Sequence, residues 1–182
     1  MPHVPPQPAL ERLTPFNRHP IVVGIEPALP DLVAFTALSL AEATAAPCIY
    51  FAYADPGRYT VEEFDDGTIR HASMNPDSLD DSWQHREEDF HEKLGRLFAS
   101  AQVPWEFRYL AGRPDRALTH LARAVDASVI VVGTRAPGAR AHIRQIVEGS
   151  VAYHLSQHQH RPVLTVPLSV VDWKATASVW DH

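Results

Sequence analysis

The sequence predicts a three-layer α/β/α domain built on a parallel β-sheet. Five short apolar runs alternate with segments of helical periodicity, which is typical of βαβ units joined by right-handed crossovers. The chain has 182 residues, 45% of them hydrophobic and 21% charged, which suits one domain with a full-sized core. No apolar run approaches the roughly 20 residues that a membrane-spanning helix requires. We therefore expect one globular domain and no membrane contact.

A proline-rich segment opens the chain. Residues 1–19 hold five of the sixteen prolines, so they are predicted to form a mobile arm. This arm lacks the basic start and apolar run of a secretory signal. The single cysteine, Cys48, excludes an intrachain disulfide and favours a reducing, cytoplasmic location. Because Cys48 opens an apolar run, we expect a buried and unreactive thiol.

The domain proper, residues 20–167, begins with a strand, a helix and a second strand. Residues 20–26 are rich in β-branched side chains and predict the first strand. The first helix is predicted at 31–45, after a turn that contains two prolines. The second strand, 47–56, is apolar on both faces, as the strands of a parallel sheet are. The buried face of the helix is expected to contain Leu32, Phe35, Leu38 and Ala41.

An acidic stretch follows the second strand. Twelve acidic and only three basic residues lie between Asp55 and Glu92, and residues 55–81 are predicted to be an insertion. Asp66-Gly67, between two runs of strand character, indicates a hairpin, although a disordered acidic loop would explain the charge equally well. The net charge of −6 disfavours nucleic-acid binding. Outside the acidic stretch the chain is slightly basic, so the later half remains open to anions.

The second half alternates helices with strands. The long helix within 78–101 has an expected apolar stripe of Trp83, Phe90, Leu94, Leu97 and Phe98. The remaining strands are predicted at 104–112, 128–134 and 161–167, and the remaining helices at 113–127 and near 149–159. In such sheets, ligands bind at the carboxyl ends of strands, where the strand order reverses. The loops after Glu26 and Gly133 are therefore the candidate ligand loops.

The loop after the fourth predicted strand has the residues of an anion site. Glycines let a backbone approach a ligand closely, and a helix N-terminus attracts negative charge. No acidic residue lies between Gly133 and Val147, and the cations there favour a phosphate. Solvated arginines on an exposed loop with a glycine turn explain the same composition. The residues concerned are Gly133, Arg135, Gly138, Arg140, His142, Arg144, Gly149 and Ser150.

Other motifs are absent or incomplete. The chain has no Gly-Lys-Ser or Gly-Lys-Thr, no G-x-S-x-G and no G-x-G-x-x-G, which disfavours a P-loop enzyme, a serine hydrolase and a dinucleotide-binding site. His154 and His158 are four residues apart and could share a helical face, with His160 close by. Neither a cysteine nor a carboxylate accompanies them, so a polar helix end is the preferred interpretation and no metal site is predicted.

The segment "VVGTRAPGARAHIRQIVEGSVAYHLSQHQHRPVLTVP" resembles the ATP-binding segment of the universal stress protein family. The family pattern has two spaced glycines after the fourth strand, then Gly-Ser or Gly-Thr and a hydrophobic residue. Here Gly149-Ser150-Val151 is similar to the end of that pattern. The loop before it is longer than in the family, with Ala136 at the place of the second glycine. Glu26 stands where the family has an aspartate, and the resemblance covers roughly residues 20–167.

The resemblance implies a fold, a ligand and a site. The fold is a five-stranded, Rossmann-like sheet of the adenine nucleotide alpha hydrolase-like type, with strand order 3-2-1-4-5 and a hairpin inserted after strand two. The ligand is ATP or AMP, with Mg²⁺ accompanying ATP. Its nucleotide-binding residues would be Glu26, Tyr53, Val132, Gly133, Arg135, Gly138, Arg140, Arg144, Gly149, Ser150 and Val151.

The resemblance also implies a role. The chain would be a cytoplasmic stress-response or signalling module that binds an adenine nucleotide and hydrolyses it slowly or not at all. The alternative is a dimeric interaction protein of the same fold that binds no nucleotide. Family dimers pair through the last strand, so residues 162–167 would form a homodimer interface. The tail, 168–182, with Trp173 and Trp180, is expected to pack on its own domain or on that partner.

Overall fold

The computed structural model describes residues 8–75, 82–134 and 151–168. A short 3₁₀ turn, Leu10–Arg12, precedes the domain. The main elements follow in the chain order β1 Ile21–Gly24, α1 Asp31–Thr44, β2 Ile49–Asp55, β3 Arg58–Glu63, β4 Ile69–Ser73, α2 Ser82–Leu97, β5 Trp105–Ala111, α3 Pro114–Ala124, β6 Val129–Gly133, α4 Val151–His158 and β7 Val163–Val166.

Five strands form one parallel sheet in the order β5-β2-β1-β6-β7. Ile21 at the start of β1 pairs with Ile49 of β2 on one side and with Val129 of β6 on the other. In chain order these five strands are arranged 3-2-1-4-5, so the predicted fold class and strand order are confirmed. The chain extends the sheet to one side of β1 and then returns to its other side. The strand order therefore reverses between β1 and β6.

Helices cover both faces of the sheet. Side chains of β1, β2 and β6 alternate between a core shared with α1 and α2, which contains Phe51, and a core shared with α3 and α4, which contains Leu118. The predicted stripe of α2 is confirmed, since Phe90 and Leu94 are buried and Trp83 packs against the same core. Burial also agrees with the expectation for Cys48, because it raises the pKa of the thiol to about 11.

The predicted buried face of α1 was right for Ala41, which is buried, and for Leu38, which packs against the core, but wrong for Leu32 and Phe35. Leu32 is 55% exposed and Phe35 is 48% exposed, and the buried residues of the helix are Val33, Ala34, Ala37 and Ala41. Apolar residues occur all around α1, so their periodicity does not identify the inward side. The small residues face the sheet because they let the helix approach it closely. At the rim, Phe35 stacks on Phe98 with ring centroids 6.5 Å apart.

The acidic insertion contains the predicted hairpin. β3 and β4 pair antiparallel, with an irregularity between Thr60 and Glu62, and form a separate two-stranded sheet. Gly67 adopts a positive φ of 79° in the connecting turn, which only glycine adopts without strain. The turn packs on α3, and a cavity of about 40 Å³ lies between them. For residues 58–73 the structure therefore favours the hairpin over a disordered loop.

None of the helices in the described part of the chain is both long enough and apolar enough to cross a membrane.

Candidate functional site

The carboxyl edge of the sheet brings four predicted site residues together. β1 ends just before Glu26, β2 carries Tyr53 near its end, and β6 ends at Gly133 after Val132. Parallel strands present their carboxyl ends at one edge, so these residues surround the point of strand reversal. We call the region just beyond the adjoining carboxyl ends of β1 and β6 the cleft. This is the place where the sequence predicted a ligand.

The floor of the cleft is closely packed backbone. A Cβ atom added to Gly24 would lie 2.8 Å from Leu118 Cδ1, and one added to Gly133 would lie 2.8 Å from Leu168 Cδ1. The side chain of Val132 is 4% exposed and belongs to the core on the α3 face. The side chain of Val132 is thus buried in the core, and the Cβ position of Gly133 is already occupied by neighbouring side chains.

The strand beside the cleft is tied to the end of the domain. The backbone N–H of Thr134 donates to the carbonyl of Val166 over 2.8 Å. The N–H of Leu168 donates to the Thr134 hydroxyl over 2.9 Å. These two bonds hold the residue after β6 against the end of β7.

The turn after β1, residues 26–29, is held by hydrogen bonds from two directions. The N–H of Leu29 donates to the carbonyl of Glu26 over 2.8 Å, and the Leu29 side chain is buried. Lys93 on α2 reaches this turn with Nζ, donating to the carbonyls of Ala28 over 3.0 Å and of Leu29 over 2.8 Å. Glu26 is exposed at the start of the turn. Its carboxylate thus lies at the rim of the cleft on a braced segment.

A charged cluster lies beside the cleft at the ends of β2 and β5. Asp55 Oδ2 accepts a hydrogen bond of 2.7 Å from Arg86 Nη1 and one of 2.6 Å from the Tyr109 hydroxyl. Its Oδ1 accepts from the Gly57 N–H over 2.8 Å. The Arg86 guanidinium carbon lies 5.6 Å from the centre of the Tyr53 ring. We call Tyr53, Asp55, Arg86 and Tyr109 the Asp55 cluster.

The cluster and Glu26 share one electrostatic environment. Burial raises the pKa of the Tyr53 hydroxyl, and the negative charges of Asp55 and Glu26 raise it further. Burial and the hydrogen bond to Asp55 also raise the pKa of Tyr109. Both tyrosines are therefore neutral at ordinary pH, and Tyr109 donates its hydroxyl proton to Asp55. β1 and β2 run parallel with Gly24 opposite Ala52, so Glu26 and Tyr53 follow at the same edge of the sheet.

The hairpin joins this region through His71. Arg58 Nε donates to His71 Nδ1 over 2.8 Å, so this ring nitrogen is the acceptor and is unprotonated. The His71 ring meets Trp83 of α2 edge-on, with centroids 4.8 Å apart, and lies 5.2 Å from the Tyr109 ring. Burial and the charge of Arg58 lower the pKa of His71. The contacts connect the base of the hairpin to α2.

The remaining predicted site residues lie in the sequence between β6 and α4 or at the first residue of α4. Val151 is the first residue of α4 and packs partly against the α3 side of the core. Six predicted residues lie outside the described part of the chain: Arg135, Gly138, Arg140, Arg144, Gly149 and Ser150. Their proposed contacts with a phosphate remain predictions.

Histidines do not assemble a metal site in the described ranges. No group of three or more metal-ligating side chains lies close enough together there to hold an ion. The rings of His154 and His158 stack with centroids 6.1 Å apart on α4, so the expected shared helical face is present.

Sequence reasoning missed Asp55, Arg86, Tyr109 and Lys93. Asp55 had a usable signal, because it ends a strand at the same edge as Glu26. Arg86 also had one, since it is one of only three basic residues in the acidic stretch from Asp55 to Glu92. Lys93 had no such signal, because its contact with residues 28 and 29 spans more than sixty positions.

The fold and its cleft define a doubly wound α/β protein of the kind that places a ligand at the carboxyl edge of its sheet. The chain belongs to the Universal stress protein family, whose model matches residues 17–167. Among curated proteins, no sequence is significantly similar to this chain.

Solved structures share the fold. One is a universal stress protein in complex with cAMP, 22% identical, with a TM-score of 0.58 over 84% of this chain and 99% of that chain. A universal stress protein from Archaeoglobus fulgidus in complex with dAMP is 21% identical, with a TM-score of 0.54 over 81% of this chain and 97% of that one. A family member from Burkholderia pseudomallei is 22% identical, with a TM-score of 0.55 over 82% and 96% of the two chains.

Proposed function

We propose that this chain is a universal stress protein that binds an adenine nucleotide, ATP or AMP, in a cytoplasmic stress response or signalling role. The observation that carries the proposal is the cleft at the point of strand reversal, with Glu26 and Tyr53 at its rim. Structures of the same fold are described in complex with cAMP and with dAMP, which supports an adenosine ligand.

Each part of the nucleotide has a proposed position. The Glu26 carboxylate accepts hydrogen bonds from the ribose hydroxyls, since a carboxylate accepts well from sugar hydroxyls. The base lies against the backbone beside Tyr53, and the backbone of Val132 and Gly133 lines the cleft. The phosphates lie at the start of α4, where a helix N-terminus attracts anions. The phosphate-binding residues proposed are Arg135, Gly138, Arg140, Arg144, Gly149, Ser150 and Val151.

Binding rather than turnover is the proposed activity, with ATP hydrolysis slow or absent. Hydrolysis would need a base to activate water and carboxylates to hold Mg²⁺ near the phosphates. Among the described residues, Asp55 is engaged by three hydrogen-bond donors, and Glu26 is placed at the ribose. Mg²⁺ would then accompany ATP as a counterion of its phosphates.

A second candidate is a dimeric interaction protein, and the edge strand β7 favours it. β7 pairs only with β6 among the described strands, so its other side is an edge. Leu164 and Thr165 are exposed on it. An exposed edge strand is a ready surface for pairing with a second copy. We include in the proposal a homodimer that pairs through residues 162–167 and the tail. Light scattering that finds a monomer would refute this homodimer.

Calorimetry separates the two candidates. The wild-type chain is titrated with ATP and Mg²⁺, AMP and cAMP, and thermal melting is recorded with each nucleotide. We expect binding heat and a raised melting temperature, because a ligand that binds only the folded state stabilises it. The variant Gly149→Val should abolish binding, since a branched side chain would obstruct backbone contact with the phosphates. Absence of both heat and melting shift at millimolar nucleotide would leave only the dimeric interaction protein.

The matched control is Gly95→Val on α2. A Cβ added at Gly95 would meet no atom within 4 Å, so this variant carries the same change at an open position that is not a proposed site residue. Nucleotide affinity should be unchanged in it. Unchanged affinity in Gly149→Val as well would refute the phosphate position proposed here.

A further inference from the structure

Helix α2 carries two inward cations within an acidic surface. Glu87, Glu88, Asp89 and Glu92 make the middle of the helix strongly negative. Arg86 and Lys93 are seven residues apart, which places both on one face of a helix. Arg86 enters the Asp55 cluster, and Lys93 contacts the turn after β1. One helix face therefore supports both rims of the proposed base and ribose site.

The Lys93 contact is specific in its geometry. Nζ bonds two consecutive carbonyls, Ala28 and Leu29, at 3.0 and 2.8 Å. The contact joins segments 64 and 65 residues apart in sequence, so it is tertiary and not local. Leu29 has a φ of 21°, an uncommon value for a residue with a side chain, and its side chain is 1% exposed. The ammonium therefore holds an irregular turn that the local backbone does not favour by itself.

The consequence falls on Glu26. Its carbonyl accepts the Leu29 N–H over 2.8 Å, so the two ends of the turn are connected directly. Glu26 is exposed, and an exposed side chain on a loose turn would lose entropy whenever it bound a ligand. When the turn is held at Ala28 and Leu29, part of this conformational entropy is already lost on folding, before the ligand binds. Bracing therefore raises the affinity of the carboxylate for a group that needs one defined position.

We propose that Lys93 is a positioning residue for ribose recognition: by holding the carbonyls of Ala28 and Leu29, it fixes Glu26 where the carboxylate accepts from the ribose hydroxyls. This inference rests on the proposed nucleotide-binding function and assigns part of its selectivity to α2. Lys93 contacts backbone and never the nucleotide. Its effect is limited to the portion of the binding free energy that depends on Glu26.

The test compares AMP with 2′,3′-dideoxy-AMP, which lacks both ribose hydroxyls, by calorimetry. The wild-type chain should prefer AMP by about tenfold or more, the usual value of a hydrogen bond to a charged group. Glu26→Ala should abolish this preference. Lys93→Met should reduce it most of the way to the Glu26→Ala value, and Lys93→Arg should restore it, because a guanidinium also donates to two carbonyls. The double variant Glu26→Ala/Lys93→Met should show the same lack of preference for AMP as Glu26→Ala alone.

The matched control is Arg96→Met. Arg96 is on the same helix and loses the same charge, but it pairs only with the exposed Glu92 among the described residues, at 2.9 Å. It should keep the wild-type preference for AMP. Amide exchange without nucleotide provides an independent measurement: the Leu29 N–H should exchange faster in Lys93→Met and at the wild-type rate in Arg96→Met.

The outcomes separate this inference from the function on which it rests. A wild-type chain that binds neither nucleotide refutes the proposed function, and this inference with it. A wild-type chain that binds both equally well refutes the contact between Glu26 and the ribose, and the role of Lys93 with it, but not nucleotide binding itself. A Lys93→Met variant that still discriminates like wild type refutes only the role of Lys93. Faster Leu29 exchange with unchanged discrimination has the same meaning, because Lys93 would then support the fold without affecting recognition.

Discussion

The Asp55 cluster makes a quantitative prediction for the substitution Asp55→Asn. Asp55 has two carboxylate oxygens, and three donors converge on them from Gly57, Arg86 and Tyr109. An asparagine of the same shape has one acceptor oxygen and an NH₂ group that only donates. Whichever way the amide is turned, its NH₂ faces at least one donor. The Arg86 charge also loses its carboxylate partner.

The expected cost follows from burial. The Asp55 side chain is 12% exposed and the Arg86 side chain 32% exposed. Removing one partner of a fully buried ion pair costs about 3 to 5 kcal/mol. Because water reaches part of Arg86 and screens the unpaired charge, we expect about 2 to 3 kcal/mol. In a domain of this size, that loss corresponds to a melting temperature lower by roughly 4 to 12 °C.

Urea denaturation followed by circular dichroism measures this loss as a change in the midpoint at constant slope. Asp65→Asn is the control, because Asp65 is an exposed acid in the same insertion and should change stability by less than about 0.5 kcal/mol. Arg86→Met in a double-mutant cycle should show strong coupling to Asp55→Asn. Equal midpoints for Asp55→Asn and Asp65→Asn would refute the assignment of stability to this cluster.

Two further predictions concern the hairpin. Gly67→Ala should destabilise the protein by about 1 to 2 kcal/mol, since φ is 79° and the new Cβ would lie 2.6 Å from Leu121 Cδ1. Gly95→Ala is the control within α2, and it should instead stabilise the protein by about 0.5 to 1 kcal/mol. If Gly67→Ala leaves the urea midpoint unchanged or raises it, the docking of the turn is wrong. His71 has a pKa lowered by burial and by Arg58, so the folded state binds its proton less readily than the unfolded state. Stability present above pH 6.5 should decline as the pH falls towards the folded-state pKa, and His71→Gln should flatten that decline; identical pH profiles by urea titration would contradict this.

Sequence patterns predicted most of the architecture because parallel strands buried on both faces are distinctive. The apolar runs of β1, β2 and β6 are short, rich in β-branched residues and separated by helical segments, so their assignment needed no tertiary information. Family resemblance supplied the strand order, and the structure confirms it. Asp66-Gly67 marked the hairpin turn through backbone chemistry that is local to two residues.

The direction in which each side chain points was harder to predict from the sequence. In α1, apolar residues surround the helix, so the pattern could not show that Val33 and not Leu32 faces the sheet. Only packing against the strands selects the small-residue face, because it permits close approach. The same limit applies to the cluster around Asp55, whose partners come from separate elements.

The sequence by itself determined the layers, the parallel sheet and the edge at which we propose that a ligand binds, since these depend on periodicity and on residues that end strands. Tertiary structure alone decided that α2 supplies Arg86 and Lys93 to that edge. Both contacts join positions far apart in the chain, and their energy comes from desolvated charges meeting fixed acceptors, which no local pattern encodes. The end of the first strand marked the loop after Glu26 as a candidate ligand loop, and the family resemblance named Glu26 as a site residue. The brace on its turn appeared only when the helix was in position.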